Sequence, residues 1–158
     1  MLVNPNIFKS YDIRGIFKEE FDLEMAYKLG MVFAYFTKAK KIVVAYDARL
    51  SSSILYESLI KGILDSGSSV LSLKMAPTEC LYFSVGKYNC EAGIMITASH
   101  NPKEYNGFKM IVNKNNDISI IRGEDIKEAF SNFNLEIIDN NIEKAIAIST
   151  DKAVHEFI

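Results

Sequence analysis

Residues 41–75, KIVVAYDARLSSSILYESLIKGILDSGSSVLSLKM, contain the pattern that decides the fold. The stretch 41–46 is a continuous run rich in β-branched side chains, which is typical of a strand covered on both faces. Residues 52–66 carry apolar side chains at helical spacing, and Gly67 can end that helix. A second β-rich run follows at 69–75. The segment therefore predicts a strand, a crossover helix and a second strand parallel to the first.

The same alternation extends in both directions along the chain. It predicts helices at 22–37, 78–87 and 123–133, and strands at 92–97 and 107–112. The last two strands are joined by about ten residues without a helical pattern, which is short for a parallel crossover, so we expect them to be antiparallel. The sequence thus predicts an α/β protein, a three-layer α/β/α sandwich with a mixed, mainly parallel sheet of about four strands.

The length of 158 residues favours one domain. The helix and strand patterns weaken from about residue 135, and the final TDKAVHEFI resembles the first turns of a new helix. We therefore assign residues 1–147 to the α/β domain. We expect residues 148–158 to be a linker and the start of a truncated second domain.

Composition and charge argue against several classes of partner. The chain is 49% hydrophobic and 24% charged with a net charge of −2, and no basic patch or apolar run of about 20 residues stands out. Cys80 and Cys90 lack the spacing of a metal site and are expected to be reduced thiols. No signal peptide is visible. The sequence predicts a cytoplasmic protein that binds neither nucleic acid nor membranes.

Polar clusters follow two of the predicted strands. DARLSS at 47–52 follows one, ASHNP at 98–102 follows another, and a third polar cluster, YDIRG, lies at 11–15. Ligands of open α/β sheets bind beyond the carboxyl ends of the strands. Because the planar donor fork of arginine suits phosphate, these residue types favour a phosphate-binding site.

Ser99 has more than one interpretation. It can be a turn serine bonded to the local backbone beside an Asn-Pro turn. A hydrolase nucleophile with His100 as its base is a poor fit, since adjacent side chains usually point apart and the chain has no G-x-S-x-G elbow. If Ser99 takes part in chemistry, Lys109, ten residues later, is a candidate partner. Its structural alternative is a lysine at a strand edge whose ammonium extends to solvent.

The other polar residues also have structural alternatives. Arg14 and Arg49 each lie two residues after an aspartate, and the usual outcome of that spacing is a surface salt bridge. His100 can be a hydrogen-bonded turn residue or a phosphate contact. Magnesium sites usually gather carboxylates, and the sequence has no Asp-x-Asp cluster.

Together, YDIRG, AYDARLSS and ITASHNPKEYNGFKM resemble the first domain of the α-D-phosphohexomutases, in the phosphomannomutase/phosphoglucomutase group. The resemblance covers the chain from about Phe8 to Asn113, and TASHNP followed by NGFK is its most specific part. It implies an intramolecular phosphotransferase that interconverts hexose 6-phosphate and hexose 1-phosphate. A phosphoserine and a hexose 1,6-bisphosphate intermediate, which also serves as activator, would carry the reaction.

The resemblance assigns a role to each matching residue. Ser99 would carry the phosphoryl group, and Lys109 would act as a general acid or base beside the reacting hydroxyl. The other matches are His100 and Arg14 near the phosphoserine, and the substrate- or phosphate-binding residues Tyr11, Arg49, Ser51 and Asn101.

The resemblance also implies parts that this sequence lacks. The family binds Mg²⁺ through an aspartate-rich loop in a second domain, so here only Ser99, through its phosphate, would contact the metal. We expect hexose phosphates and the remaining domains of a longer enzyme as partners, and we expect residues 1–158 alone to be inactive. The alternative is a non-catalytic α/β module that binds phosphosugars.

Overall fold

A computed structural model describes residues 3–133 and the two-residue strand at 155–156. The strands are β1 (Ile13–Ile16), β2 (Lys41–Tyr46), β3 (Ser69–Met75), β4 (Ala92–Ile96), β5 (Tyr105–Lys114), β6 (Asp117–Ile121) and β7 (His155–Glu156). The helices are α1 (Leu23–Thr37), α2 (Ser52–Asp65), α3 (Thr78–Lys87) and α4 (Gly123–Asn132). Every predicted helix and strand in this part of the chain is confirmed.

The strands form one mixed sheet in the order β1-β5-β4-β2-β3-β7, with β6 also paired to β5. Three pairings are parallel, β2 with β3, β2 with β4 and β3 with β7. Three are antiparallel, β1 with β5, β4 with β5 and β5 with β6. The antiparallel pair predicted from the short connection is confirmed.

The prediction of about four strands is wrong, because the described residues form seven. Two of the missed strands pair with β5. In β1, buried and half-buried residues alternate over only four positions, and four of the five residues of β6 are exposed. Neither strand shows the continuous apolar run that identified β2 and β4, since neither is covered on both faces.

Helices cover both faces of the sheet, which confirms the three-layer arrangement. The larger core lies under α1, α2 and α4, where Leu29, Leu59 and Ile126 pack against sheet residues such as Ile94 and Phe108. A smaller core lies under α3 on the opposite face. No helix within residues 3–133 is long and apolar enough to cross a membrane.

Helices α1 and α2 touch through their backbones at two glycines. A Cβ atom built on Gly62 would lie 2.0 Å from the carbonyl oxygen of Tyr27, and one built on Gly30 would lie 2.3 Å from that of Leu59. Beside this contact the Tyr27 hydroxyl donates to Asp65 at 2.7 Å. Burial, together with that bond, raises the pKa of Tyr27 to about 12. The close contact fixes α2 against α1, and with it the loop at the start of α2.

The carboxyl-terminal assignments lie almost wholly outside the described residues. His155 and Glu156 form a strand paired in parallel with Leu71 and Ser72 of β3. The helix expected in TDKAVHEFI is therefore wrong at these two positions. The domain boundary at 147/148 and the start of a second domain stay predictions.

Candidate active site

Two of the polar loops leave the same edge of the sheet. Tyr46 at the end of β2 is the parallel partner of Ile96 at the end of β4. The next residue, Asp47, donates its backbone N–H to the carbonyl of Ile96 at 3.0 Å. Since neighbouring parallel strands end together, the loop at 47–51 and the loop at 97–104 lie side by side, as expected for a ligand site.

Ser99 lies exposed at the start of the second loop in a left-handed backbone conformation, with φ of 56°. Its N–H donates to Thr97 Oγ1 at 2.9 Å, and the N–H of Asn101 donates to the carbonyl of Ala98 at 3.1 Å. A non-glycine residue in this region is strained by about 1 kcal/mol or more. The surrounding loop must therefore hold Ser99 in place.

His100 contacts Ser99 directly. Its Nδ1 lies 3.3 Å from Ser99 Oγ, although adjacent side chains usually point apart. The ring has no second hydrogen-bond partner among residues 3–133. A Ser-His-acid triad needs such a partner to orient the imidazole, so the contact does not amount to a hydrolase site.

Arg14 joins β1 to the loop at residues 97–104, which contains Ser99 and which we call the serine loop. Its Cα pairs with that of Gly107 in β5, and its Nη1 donates to Asn101 Oδ1 at 2.7 Å. Its Nη2 donates to the buried carboxylate of Asp12. The expected salt bridge therefore exists, and the same guanidinium also reaches a residue 87 positions away in the chain.

A cleft opens beside Arg14 and is lined by Lys9, Ser10, Tyr11, Asp12, Arg14 and Asn101. Tyr11, one of these lining residues, is 73% exposed. The Nε of Arg14 is buried without a hydrogen-bond partner in the described part of the chain. A buried donor without an acceptor is costly, and an oxygen atom of a ligand would satisfy it.

Lys109 lies on the same face of the sheet as Arg14. Its neighbours Phe108 and Met110 point into the core under α1 and α2, so the alternation of β5 directs Lys109 to the α3 face. Its Cα pairs with that of Met95, four residues before Ser99. The side chain is half-buried and makes no hydrogen bond or ion pair with any described residue, Ser99 included.

Arg49 is bonded at every donor of its guanidinium. Nε donates to Asp47 Oδ2 at 3.2 Å. Nη1 donates to the carbonyls of Pro102 at 2.7 Å and Tyr105 at 3.0 Å. Nη2 donates to the carbonyls of Ser99 at 2.9 Å and Asn101 at 2.7 Å. Because arginine has five N–H donors, none is left for phosphate in this arrangement.

Ser51 is also engaged by the protein. The fully buried Asn106 donates from Nδ2 to Ser51 Oγ at 2.8 Å and to Ser52 Oγ at 3.0 Å. Ser52 Oγ in turn donates to Asp47 Oδ1 at 2.6 Å. Sequence reasoning assigned no role to Asn106, although it belongs to the NGFK motif. The sequence alone did not show that Asn106 is buried at the start of β5, and this burial is what reveals its role.

Comparison with known proteins shows the family to which this chain belongs. Residues 5–135 match the family described as phosphoglucomutase/phosphomannomutase, alpha/beta/alpha domain I. The chain belongs to the phosphoglucomutase/phosphomannomutase family. The resemblance drawn from the three sequence motifs is thereby confirmed.

Individual members of this family agree with the match. A phosphomannomutase of Klebsiella pneumoniae is 43% identical over 104 residues, which are 66% of this chain and 66% of that protein. A phosphomannomutase of Escherichia coli K12 is 43% identical over 66% of this chain and only 23% of its own length. A crystal structure of a phosphoglucomutase/phosphomannomutase family protein from Burkholderia thailandensis superposes with a TM-score of 0.68 at 28% identity, covering 92% of this chain and 31% of that one.

The described residues of this family member do not build a metal site by themselves. No group of three or more histidine, cysteine, aspartate or glutamate side chains within them could hold a metal ion. Asp12 and Asp47 are each bonded to an arginine that also bonds the serine loop.

Proposed function

We propose that this chain is the phosphoserine domain of a phosphomannomutase/phosphoglucomutase, with Ser99 as the phosphoryl carrier. The observation that carries the proposal is the position of Ser99. Its exposed hydroxyl follows the buried strand β4, in a strained backbone conformation beside the Arg14–Asn101 pair. Relatives that match the same part of the chain are named phosphomannomutase, and one from Pseudomonas putida is named phosphomannomutase/phosphoglucomutase.

The proposed reaction interconverts hexose 6-phosphate and hexose 1-phosphate. In the first half, the bond between phosphorus and Ser99 Oγ breaks, and a bond forms between phosphorus and the free hydroxyl oxygen of the sugar phosphate. The product is a hexose 1,6-bisphosphate, which serves as intermediate and activator. The bisphosphate then reorients in the site and returns its other phosphoryl group to Ser99, so the enzyme is again phosphorylated at the end of the cycle.

Each half of the reaction moves one proton. The sugar hydroxyl loses a proton as it attacks, and Lys109 would accept it as general base. Ser99 Oγ gains a proton as the phosphoryl group leaves, and His100, whose Nδ1 lies 3.3 Å from that oxygen, would donate it. In the reverse direction the two groups exchange roles, so the atoms and charges balance over the complete cycle.

Arg14 would neutralise charge on the transferring phosphoryl group. Phosphoryl transfer depends mainly on positioning and on stabilising charge on the equatorial oxygens. The unpartnered Nε of Arg14 and the cleft at Tyr11 suit an anionic oxygen. Asn101, bonded to the same guanidinium, would orient it. The direct phosphate contacts predicted for Arg49 and Ser51 are untested, and we do not include them in the proposed reaction, because both side chains are bonded within the protein.

Magnesium would enter this site through the phosphate of Ser99. A bound Mg²⁺ supplies positive charge against the oxygens of the transferring group. The described residues offer no further ligand set, so we propose that the remaining ligands come from other parts of the enzyme. We likewise propose that the other partners are hexose phosphates and the remaining domains, and that the location is the cytoplasm, where its free cysteines would stay reduced.

Phosphate on Ser99 tests the proposal directly. We expect peptide mass analysis of the purified, active full-length protein to find one phosphoryl group on the peptide containing Ser99. Peptides containing Ser51, at the end of the neighbouring loop, and Ser52, the first residue of α2, serve as internal controls and should be unmodified. A non-catalytic phosphosugar-binding module would never carry this group. Active protein with only unmodified Ser99 would therefore contradict the proposal.

The isolated chain is expected to be inactive. Residues 1–158 should not convert glucose 1-phosphate or mannose 1-phosphate measurably in a coupled assay with Mg²⁺. The physical reason is that the described residues provide no metal site. A second reason is that the match covers only 23% of the Escherichia coli relative. Turnover by the isolated chain at a rate near that of the full-length enzyme would show that no other domain is needed.

A further inference from the structure

The guanidinium of Arg49 organises the backbone around Ser99. Within seven residues of chain, the carbonyls of Ser99, Asn101, Pro102 and Tyr105 all accept from this one group. Bonds of this kind, from an ionised donor, are stronger than neutral ones. A single side chain therefore fixes the direction of four peptide units, including the peptide unit that follows Ser99.

Arg49 is itself held in place by its own loop, at residues 47–51. The Asp47 carboxylate accepts hydrogen bonds from the Nε and the backbone N–H of Arg49. The Arg49 side chain is only 13% exposed. The same carboxylate accepts the hydroxyl of Ser52, which in turn accepts from the buried Asn106 at the start of β5. The guanidinium thus connects the ends of β2 and β4 with the start of β5 through a continuous set of hydrogen bonds.

This arrangement compensates the strain at Ser99. A left-handed serine persists only where the surroundings over-determine it. The two bonds within the loop, from Ser99 N–H and Asn101 N–H, are supplemented by four bonds from Arg49. Only arginine has a planar fork of five donors, whereas lysine has a compact ammonium on a flexible stem.

We propose that Arg49 is a positioning residue that sets the backbone geometry of the serine loop, and not a phosphate ligand. It acts on the reaction through Ser99, so the kinetic part of this inference rests on the proposed function. Its structural part does not.

Hydrogen exchange in the full-length protein tests the structural part. In Arg49→Ala and Arg49→Lys we expect the amides of Ser99, Asn101 and Tyr105 to exchange at least tenfold faster than in the wild type. Amides of α3 should be unchanged. Arg122→Ala is the matched control, because Arg122 is likewise an arginine paired with a nearby aspartate, Asp125, but at the start of α4. Unchanged exchange in the serine loop of both Arg49 variants would overturn the proposal.

Steady-state kinetics test the role in the reaction. A misplaced reacting group costs about 100-fold in rate, so Arg49→Lys should lower kcat by about that factor while KM for the hexose phosphate changes less than about threefold. A phosphate ligand would behave in the opposite way, with a raised KM and partial rescue by the positive charge of lysine. That result would overturn the positioning role.

Two further observations keep the outcomes distinct. If both variants fail to fold, a crystal structure of the phosphorylated wild type decides. The four carbonyls should remain on Arg49, and a phosphate oxygen within hydrogen-bond distance of its guanidinium would contradict the proposal. If the wild type shows neither phosphoserine nor mutase activity, the proposed function fails, whereas the exchange experiment still decides the role of Arg49 in the loop.

Discussion

Replacing Ser99 with alanine is expected to remove the phosphoryl group from this chain and to lower kcat of the full-length enzyme by at least about 100-fold. The expectation follows from covalent catalysis, because the loss of a nucleophile removes the step that divides a difficult transfer into two easier ones. The Ser99 side chain is exposed, and the bond from its backbone N–H to Thr97 does not involve the hydroxyl. The substitution should therefore leave stability almost unchanged.

The measurements for this variant are kcat, phosphate content and melting temperature. Ser53→Ala is a suitable control, because Ser53 is an exposed serine in the first turn of α2 beside the same loops. It should keep wild-type kcat and phosphate. Wild-type turnover by Ser99→Ala, or phosphate retained on that variant, would exclude Ser99 as the carrier. Labelling of wild-type Ser99 by an organophosphate, with ester hydrolysis, would instead favour the hydrolase interpretation.

The elements around this site could be predicted from the sequence because most of them are buried on one face or two. The strands β2 and β4 consist of buried apolar residues over most of their length. Asp22 caps the start of α1, and its carboxylate accepts the N–H of Met25. Such signals are local. The strands β1 and β6, which pair with β5, lack such signals because β1 is short and β6 is exposed. The pairing of β1 also depends on a partner nearly 100 residues away in the chain.

The chemistry of the loops shows the same division between local and distant information. The bond from Arg49 to Asp47 follows from a spacing of two residues. Its bonds to four carbonyls, 50 to 56 residues away, exist only because parallel strands bring two loops to one edge. Residue types could therefore favour a phosphate-binding site, which stays a prediction. They could not predict which arginine has a free donor and which is already occupied by backbone.

The second large effect is expected far from the serine, where Gly62→Ala should destabilise the fold by about 3 kcal/mol or more. The new methyl group would lie 2.0 Å from the Tyr27 carbonyl oxygen and 3.2 Å from the N–H nitrogen of Met31. Both are backbone atoms of α1, so no side-chain rotation relieves the overlap and the two helices must move apart. For a domain of this size we expect the melting temperature to fall by roughly 10 °C.

Gly86→Ala provides a control of opposite sign. Gly86 lies in α3, and a Cβ there would meet only Ile118 Cδ1 at 3.7 Å, an ordinary contact. Because alanine favours helix over glycine by about 0.5–1 kcal/mol, this variant should be slightly more stable than the wild type. Urea unfolding of both variants measures the difference. If Gly62→Ala were as stable as Gly86→Ala, α1 and α2 would have to separate freely. In that case, the backbone contact between the two helices would not be what fixes α2 and the loop at 47–51 against the rest of the domain.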